Sequence, residues 1–374
     1  MVAARTALVV GGGVAGMSAA IMLRRAGLQV QLIDSAPEWQ MSGAGLTISA
    51  STLRALRDVG LLEAVMLHGH THDGIRVCDV KGSTLRLVKS PPLPDAVVPG
   101  AGGILRATLH QIMAKRLETL GVALRLGLSV TSIDPHGAQC KVTLTDGSVE
   151  RVDLLVGADG LYSTTRRMLF AESSLPAFTG QACWRLVIPR PEAIDLRHFF
   201  LGGPVKVGLT PVSRDEMYLF LLEQVPGNPW RPESTQYDTL KGLLEGFGGV
   251  LASIRAAIGP TSKIVYRPLE SHLLADQWWQ GRAILIGDAA HATTPQLASG
   301  AGMAIEDGIV LAQEVSRAKS LSEAFYRFMQ RRYARCKMVV ENSLQIGRLE
   351  MAGASPAEQT AVVDRSLAVL AQPI

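Results

Sequence analysis

One stretch near the start of the chain restricts its fold more than any other: Ala7-Leu8-Val9-Val10-Gly11-Gly12-Gly13-Val14-Ala15-Gly16. An apolar run stops on glycines and passes into a helical pattern. Gly11, Gly13 and Gly16 read G-x-G-x-x-G, the strand–turn–helix arrangement that receives a dinucleotide. Gly11 permits the tight turn, Gly13 lets a phosphate approach the backbone, and Gly16 lets helix and strand pack closely. The helix N-terminus offers free N–H groups and a partial charge of about +0.5 to a pyrophosphate. Ser18 to Ala26 continues the helix, Gly27 ends it, and Leu28 to Ile33 reads as the next strand. Asp34 closes that strand roughly 20 residues past the glycines, where a carboxylate can meet a ribose. A solvated strand end is the plainer reading of Asp34; spacing and flanking elements favour the ribose.

Further along, Gly43 and Gly45 suggest a close backbone approach. Ser51 to Val59 reads as a helix stopped by Gly60, and Gly74 to Val88 as two strands around Lys81-Gly82-Ser83. Arg106 precedes a helix over Thr108 to Leu120, whose Leu109, Ile112, Met113 and Leu117 recur at helical spacing. As a cation there, Arg106 suits either a cofactor phosphate or plain solvent. Asp146-Gly147 between Lys141–Thr145 and Ser148–Val156 signals a hairpin. Gly157-Ala158-Asp159-Gly160 then follows an apolar strand, with Ser163 and Arg166 opening a helix. From Gly180 to Leu222 the strand-like runs predict a separate, mostly antiparallel sheet. Ala283 to Gly287 is a buried strand ending on Asp288, and Gly300 opens a long helix. A last helix over Ser322 to Leu349 carries Arg327, Arg331, Arg332 and Arg335, expected as a solvated face with interdomain ion pairs.

Composition narrows the class of function. Hydrophobic residues make up 47% and charged residues 19%, as in a globular protein. The net charge of +4 is too small and dispersed to argue for nucleic acid. No apolar run reaches the length of a membrane span, and no leader pattern precedes the first strand. Cys78, Cys140, Cys183 and Cys336 lie far apart with no C-x-x-C pair, which suggests reduced thiols, a cytoplasmic setting and no metal site.

Three motifs now stand in order: the glycines from Gly11 to Gly16; Ala158-Asp159-Gly160-x-x-Ser163-x-x-Arg166; and Gly287-Asp288-Ala289-Ala290-His291-x-x-x-Pro295. Together they resemble the single-component FAD-dependent aromatic hydroxylases of the para-hydroxybenzoate hydroxylase fold, among them the salicylate hydroxylase and 6-hydroxynicotinate 3-monooxygenase types. The likeness spans about Thr6 to Arg335. It implies an α/β fold: a Rossmann-like FAD-binding domain with an inserted, mostly antiparallel substrate sheet and C-terminal helices. The expected division is 1–72, 104–177 and 271–318 for the FAD-binding domain, 73–103 and 178–270 for the substrate domain, and 319–374 for the helical end.

The resemblance implies FAD against Gly11, Gly13, Val14, Ala15, Gly16, Asp34, Gly45, Arg106, Val130, Asp159, Gly160 and Asp288. The backbone of Gly300, Ala301 and Gly302 would face the flavin N1/O2 edge, and Pro295 would fix the loop against the ring. It also implies NAD(P)H as reductant, dioxygen and a small aromatic substrate as partners, a flavin C4a-hydroperoxide as oxygen donor, and a monomer or homodimer without nucleic acid or membrane. Pro295, Gly300 and Thr47 are the candidate catalytic positions. Thr47 stands where a relative carries a histidine base, and a threonine cannot serve as a base at neutral pH. His72, His198 and His291 remain possible but suit structural roles. Trp184, Phe199, Leu209, Tyr218, Phe220, Thr47 and Gln296 are candidate substrate contacts, with Arg185 and Gln296 as polar anchors. Strand alternation turns about half of such sheet residues away. Two other readings stand beside this one. Trp184-x-Leu186-x-Ile188-Pro189 half-matches the W-x-W-x-I-P pattern of flavin halogenases, and a non-catalytic FAD-binding protein would share the first motif.

Overall fold

The computed structural model describes residues 3–39, 44–90, 93–227, 230–275 and 277–374; Gly43 lies outside them. The glycine turn follows the strand Thr6–Val10 and leads into the helix Val14–Arg25. That strand is central in a six-stranded sheet, paired in parallel with Gln29–Asp34 on one side and Leu154–Gly157 on the other. Ala123–Leu126 and Ala283–Leu285 extend the sheet in parallel, and the short strand Trp279–Gln280 closes it antiparallel. Parallel strands covered on both faces read as apolar runs. Leu8, Val9, Leu32, Leu155, Val156 and Ile284 are accordingly buried. The strands that end on Val10, Gly157 and Leu285 bring all three sequence motifs to the same edge, beside Asp34.

A seven-stranded sheet stands apart from the first. Its order is Ile264–Leu273, Ala177–Pro189, Glu216–Gln224, Lys206–Pro211, Arg197–Phe200, Gly74–Cys78 and Thr84–Lys89. Every pairing is antiparallel except that between Arg197–Phe200 and Gly74–Cys78. Two smaller sheets complete the strands. One contains the hairpin at Asp146-Gly147, and the other joins Gly45–Ser49 and His70–His72 to Ala101–Leu105.

The seven-stranded sheet has two different faces. Ala182, Trp184, Leu186, Val207, Leu209, Leu219 and Leu221 form a core of their own with Leu240, Leu251 and Ile254 from the helices Glu233–Leu243 and Gly249–Ala257 and with Leu244, which caps the first of them. Residues of opposite parity on the same strands, among them Cys183, Arg185, Tyr218 and Phe220, face the strand ends of the six-stranded sheet. Residues Leu244 to Gly248 separate the two helices.

The helix Gly300–Arg317 runs through the middle of the molecule. Gly308 leaves it no side chain where the helix Val14–Arg25 crosses: a Cβ there would sit 2.6 Å from the Ala19 nitrogen. The helix Leu321–Met351 packs on it, and Pro356–Ala371 packs in turn on that one. The arginines of Leu321–Met351 correct the expected solvated face. Arg327 is exposed and paired with Glu323, but Arg332 is fully buried against Glu306 and Asp307, and Arg335 is buried against Glu306. Phe325, Phe328, Arg332, Cys336 and Val339 follow helical spacing on one inward stripe. Charge alone did not reveal that stripe, because the partners lie on another helix. No described helix is long and apolar enough to cross a membrane.

Candidate active site

A cleft of about 620 Å³ opens between the strand ends of the six-stranded sheet and the front of the seven-stranded one. The glycine turn forms its floor. Gly11 has φ +108°, and a Cβ on it would lie 2.3 Å from the Ala158 carbonyl oxygen. Gly16 would place a Cβ 1.9 Å from the Gly11 oxygen, so both positions exclude any side chain. Gly13 has nothing within 4 Å of its missing Cβ and lines the cleft with Gly12, Val14 and Ala15. Backbone is thus laid bare where an anion can reach it.

Two helices start at this cleft, at Val14 and at Gly300. Neither has a side-chain cap or an acid in its first turn. Their free N–H groups and positive dipole ends are therefore available to negative charge. The approach to the second start is strained: Ala298 has φ +50°, the one non-glycine residue with positive φ among the described residues. Such backbone persists where its surroundings hold it, and it clusters at ligand clamps. Pro295 opens a 3-10 turn just before it. Pro295, Gln296, Gly300 and Ala301 line the cleft. Gly302 does not. A Cβ there would sit 2.4 Å from Thr52 Oγ1, so this glycine seats the helix on its neighbour.

The carboxylates differ in their duties. Asp34 accepts from the Gly12 N–H at 2.6 Å and from the Ala36 N–H at 2.8 Å, and it lines the cleft beside Gly12. Asp159 is turned inward. It accepts from the Ser163 hydroxyl and, at 2.9 and 3.0 Å, from the Thr165 N–H and hydroxyl. It holds the start of the helix Thr164–Leu169 and is not a lining residue, whereas Gly160 is. Arg166 of the same motif is buried and donates to the carbonyls of Ala289 and Leu161, tying the second motif to the third. Asp288 faces the cleft at the end of its strand. The surrounding protein raises its pKa, while His291 and Arg106 act to lower it. Arg106 also lines the cleft, and burial lowers its pKa against the field of Asp288. Val130 is buried in the core and does not line the cleft.

The far wall is the front of the seven-stranded sheet. Cys183, Arg185, Arg197, Lys206, Tyr218 and Phe220 line it. Two expected substrate contacts face the other way. Trp184 is fully buried behind the sheet with its Nε1 donating to Glu223, and Leu209 lies in the same rear core. Leu186 is there too, so the halogenase half-match brings neither Trp184 nor Leu186 to the cleft. Phe199 sits on the front, packed edge-on against Phe220 with ring centroids 5.5 Å apart, but does not itself line the cleft. Gln296 reaches the cleft and donates to Gln181 Oε1 at 2.8 Å. The Thr47 and Tyr218 hydroxyls are 2.6 Å apart, and Thr210 lies 3.4 Å from Thr47.

None of the three candidate histidine bases lines this cleft. His198 is behind the sheet, bonded to the Leu196 carbonyl. His72 is buried, and that burial together with His70 and Arg197 holds its pKa down to about 4. His291 belongs to a buried network. Its Nε2 is 2.6 Å from Asp307 Oδ2, which also accepts from the Gly287 N–H at 2.8 Å; Arg332 reaches Asp307 Oδ1 at 2.8 Å. Sequence reasoning missed Trp39, His110, Arg197 and Lys206. Trp39 packs edge-on to His110 at 4.7 Å, and His110 Nε2 donates to the Gly12 carbonyl at 3.1 Å, so the pair buttresses the glycine turn. None of the four belongs to a local pattern that could have marked it.

Known proteins resemble this chain along nearly its whole length. The sequence pattern of the FAD binding domain family matches residues 4–343. The 2-heptyl-3-hydroxy-4(1H)-quinolone synthase of Pseudomonas aeruginosa is 34% identical over 350 residues, covering 92% of this chain and 89% of that protein. Aurachin C monooxygenase/isomerase of Stigmatella aurantiaca is 32% identical over 356 residues, with 92% and 89% covered. Klebsiella pneumoniae HpxO, solved with FAD and uric acid, superimposes with a TM-score of 0.87 at 21% identity, over 98% of this chain and 96% of that one. At that identity it speaks for the fold.

The His291–Asp307 pair makes a pH-dependent contribution to stability. Burial alone would lower the His291 pKa, but the Cys336 sulfur and the Asp307 carboxylate raise it well above 6.5. His291 and Arg332 hold Asp307 down to about 2 against its own burial. A raised histidine pKa gives stability that is complete below 6.5 and lost as pH rises through the folded value; a lowered aspartate pKa gives stability present above 3.8 and lost as pH falls towards about 2. We predict that Asp307→Asn flattens both limbs and lowers the unfolding free energy by about 3–5 kcal/mol between them, since Arg332 and His291 lose their buried partner. Urea unfolding across a pH series measures this, and a wild-type midpoint that keeps rising above neutral pH would contradict it.

Proposed function

The chain belongs to the FAD binding domain family, and on that premise we propose that it is a monooxygenase. It would place one atom of dioxygen on a small, electron-rich aromatic or heteroaromatic ring, with FAD as resident cofactor and NAD(P)H as reductant. The observation that carries the reading is the pairing within one cleft of two uncapped helix starts with a wall of ring-sized side chains. The first half suits an extended anionic cofactor; the second suits a flat organic substrate.

The residues present fit FAD. Gly13 leaves open backbone where a pyrophosphate needs it, and Arg106 and the helix starting at Val14 supply positive potential. Asp34 keeps acceptor capacity for a ribose beyond its two backbone bonds. Asp288 lies where it can accept from hydroxyls of the cofactor's linker. The helix starting at Gly300 would favour negative charge on the flavin edge without a mobile cation. Bound FAD would supply the two-electron reduction and the activation of dioxygen, which protein side chains cannot provide.

What remains for this chain's own groups is position, proton handling and exclusion of water. Phe220 and Leu222 offer apolar surface. Tyr218 Oη, in contact with Thr47 Oγ1, is placed to share a hydrogen with a ring hydroxyl of the substrate. That bond would orient the ring and increase electron density at the carbon to be attacked. Water must be kept from the reduced site, since oxygen chemistry released to solvent yields hydrogen peroxide. The quinolone synthase among the relatives is consistent with a nitrogen heterocycle as substrate. Cys78, Cys140, Cys183 and Cys336 are free and buried, which suits action in a reducing cytoplasm.

Two outcomes are expected. Replacing Asp288 by Ala should weaken FAD binding roughly tenfold to a hundredfold, the loss of charge-assisted hydrogen bonds worth about 1.5–3 kcal/mol each. Titration of the apoprotein with FAD, followed by flavin fluorescence, measures it, and unchanged affinity would remove Asp288 from the cofactor site. With the preferred aromatic, NAD(P)H oxidation should accelerate, and mass spectrometry with labelled dioxygen should find one labelled atom in the product. A product without that atom would refute the monooxygenase reading.

A further inference from the structure

The front of the seven-stranded sheet continues beyond the cleft. On the strand Ala177–Pro189, Arg185 and Cys183 line the cleft, while Gln181, Thr179 and Ala177 line a second cavity of about 600 Å³. On the neighbouring strand Ile264–Leu273, Leu269 lines the first, and Ser271 and Leu273 line the second. Thr294 and Gln296 line both. The helix Leu321–Met351 supplies Val340, Ser343, Leu344 and Gly347 to the second cavity. The bond from Gln296 Nε2 to Gln181 Oε1 stands at the boundary between the two. Gly347 makes room for it: a Cβ there would lie 2.8 Å from the Gln181 oxygen.

Among the described residues, four polar atoms of this lining are shut from water without a hydrogen-bond partner: His272 Nε2, Thr294 Oγ1, Gln296 Oε1 and Ser343 Oγ. His272, Thr294 and Ser343 are 4%, 3% and 0% exposed. Such atoms are costly, and native proteins keep few of them. Here they gather around one cavity. None of the four carries charge. Burial, with the field of Arg166, holds the His272 pKa down to about 4, so its ring is neutral. Glu341 and Arg348, the lining residues that are charged, are exposed. Beside the polar atoms stand Phe178, Leu273, Val340 and Leu344. Water gains nothing from such an apolar wall, whereas a molecule with an apolar body and a polar head gains from both parts of the lining. A rotamer change carries the Ser343 or Thr294 hydroxyl, which can donate or accept, to that head.

We propose that the second cavity binds an uncharged group that donates and accepts hydrogen bonds beside an apolar body, as an amide does. The group is either the far end of a substrate whose ring lies in the cleft, reached past Gln296, or a separate molecule. Only the first alternative rests on the monooxygenase reading.

Calorimetry on the FAD-loaded protein tests the site without turnover. The probes are benzamide, benzoate, 4-methylphenol and 4-hydroxyphenylalkanamides of increasing chain length. The wild type should bind benzamide, and excess benzoate should not displace it, because the cavity offers no buried cation. Ser343→Leu, which fills the cavity, should weaken benzamide at least about tenfold; Ser343→Ala, which removes only the hydroxyl, should weaken it about threefold to tenfold. FAD content should be unchanged in both, since Ser343 does not line the cleft. If the group belongs to the substrate, an alkanamide binds at least about tenfold tighter than 4-methylphenol, and Ser343→Leu removes that gain alone. If it belongs to a separate molecule, no alkanamide gains, and benzamide and 4-methylphenol bind side by side. The proposal is overturned if benzamide does not bind, if benzoate displaces it, or if both Ser343 variants bind it as the wild type does. Should Ser343→Leu fail to fold, Ser343→Ala decides. A turnover product without the labelled oxygen atom would defeat the monooxygenase reading and leave benzamide binding where it was.

Discussion

Asp307 is the point on which the rest of the molecule hangs. One of its oxygens receives the Gly287 N–H and His291, and the other receives Arg332. The helix Gly300–Arg317, the loop that bears Asp288 and the long C-terminal helix are thereby joined at one buried carboxylate. Glu306 repeats the arrangement one residue earlier with Arg332 and Arg335. Such buried charge is a poor source of net stability compared with apolar packing, but breaking it is expensive. Its value here lies in geometry. The same helix that presents its start to the cleft carries, two turns on, the group that fixes the Asp288 loop. The distance between those two cleft-lining elements is therefore set inside a single rigid rod.

A second tie reinforces it from the opposite side. Arg166 passes from the Asp159 motif to the Ala289 carbonyl, so two motifs that are far apart in sequence share one buried guanidinium. Asp159, for its part, spends its oxygens on Ser163 and Thr165. These two motifs build the wall of the cleft as much as they present groups to it. Their compact sequence patterns reflect a demand for buried hydrogen bonding as well as for contact with a ligand.

The parts of the molecule legible in the sequence are those governed by local rules. The glycine turn, the hairpin at Asp146-Gly147 and the stop at Gly60 depend on backbone conformations that few residues adopt, and each stands as read. The strand-rich stretch after Gly180 was equally legible as a sheet. Its faces were not. Trp184 and Arg185 are adjacent, and only pairing with distant strands decides that Arg185 meets the cleft and Trp184 the rear. Arg332 and Arg327 occupy one helix and are distinguished by partners on another. Arg197, Trp39 and His110 carry no pattern at all, since what makes them notable is assembled from separate segments.

The seven-stranded sheet separates two tasks by parity. Its rear residues complete a core with the helices Glu233–Leu243 and Gly249–Ala257, and that core owes nothing to whatever occupies the front. Side chains such as Arg185, Arg197 and Phe220 can therefore be exchanged in the course of evolution without unsettling Trp184, Leu209 or Leu221 behind them. A lineage built on this sheet can change what its cleft accepts while keeping its scaffold.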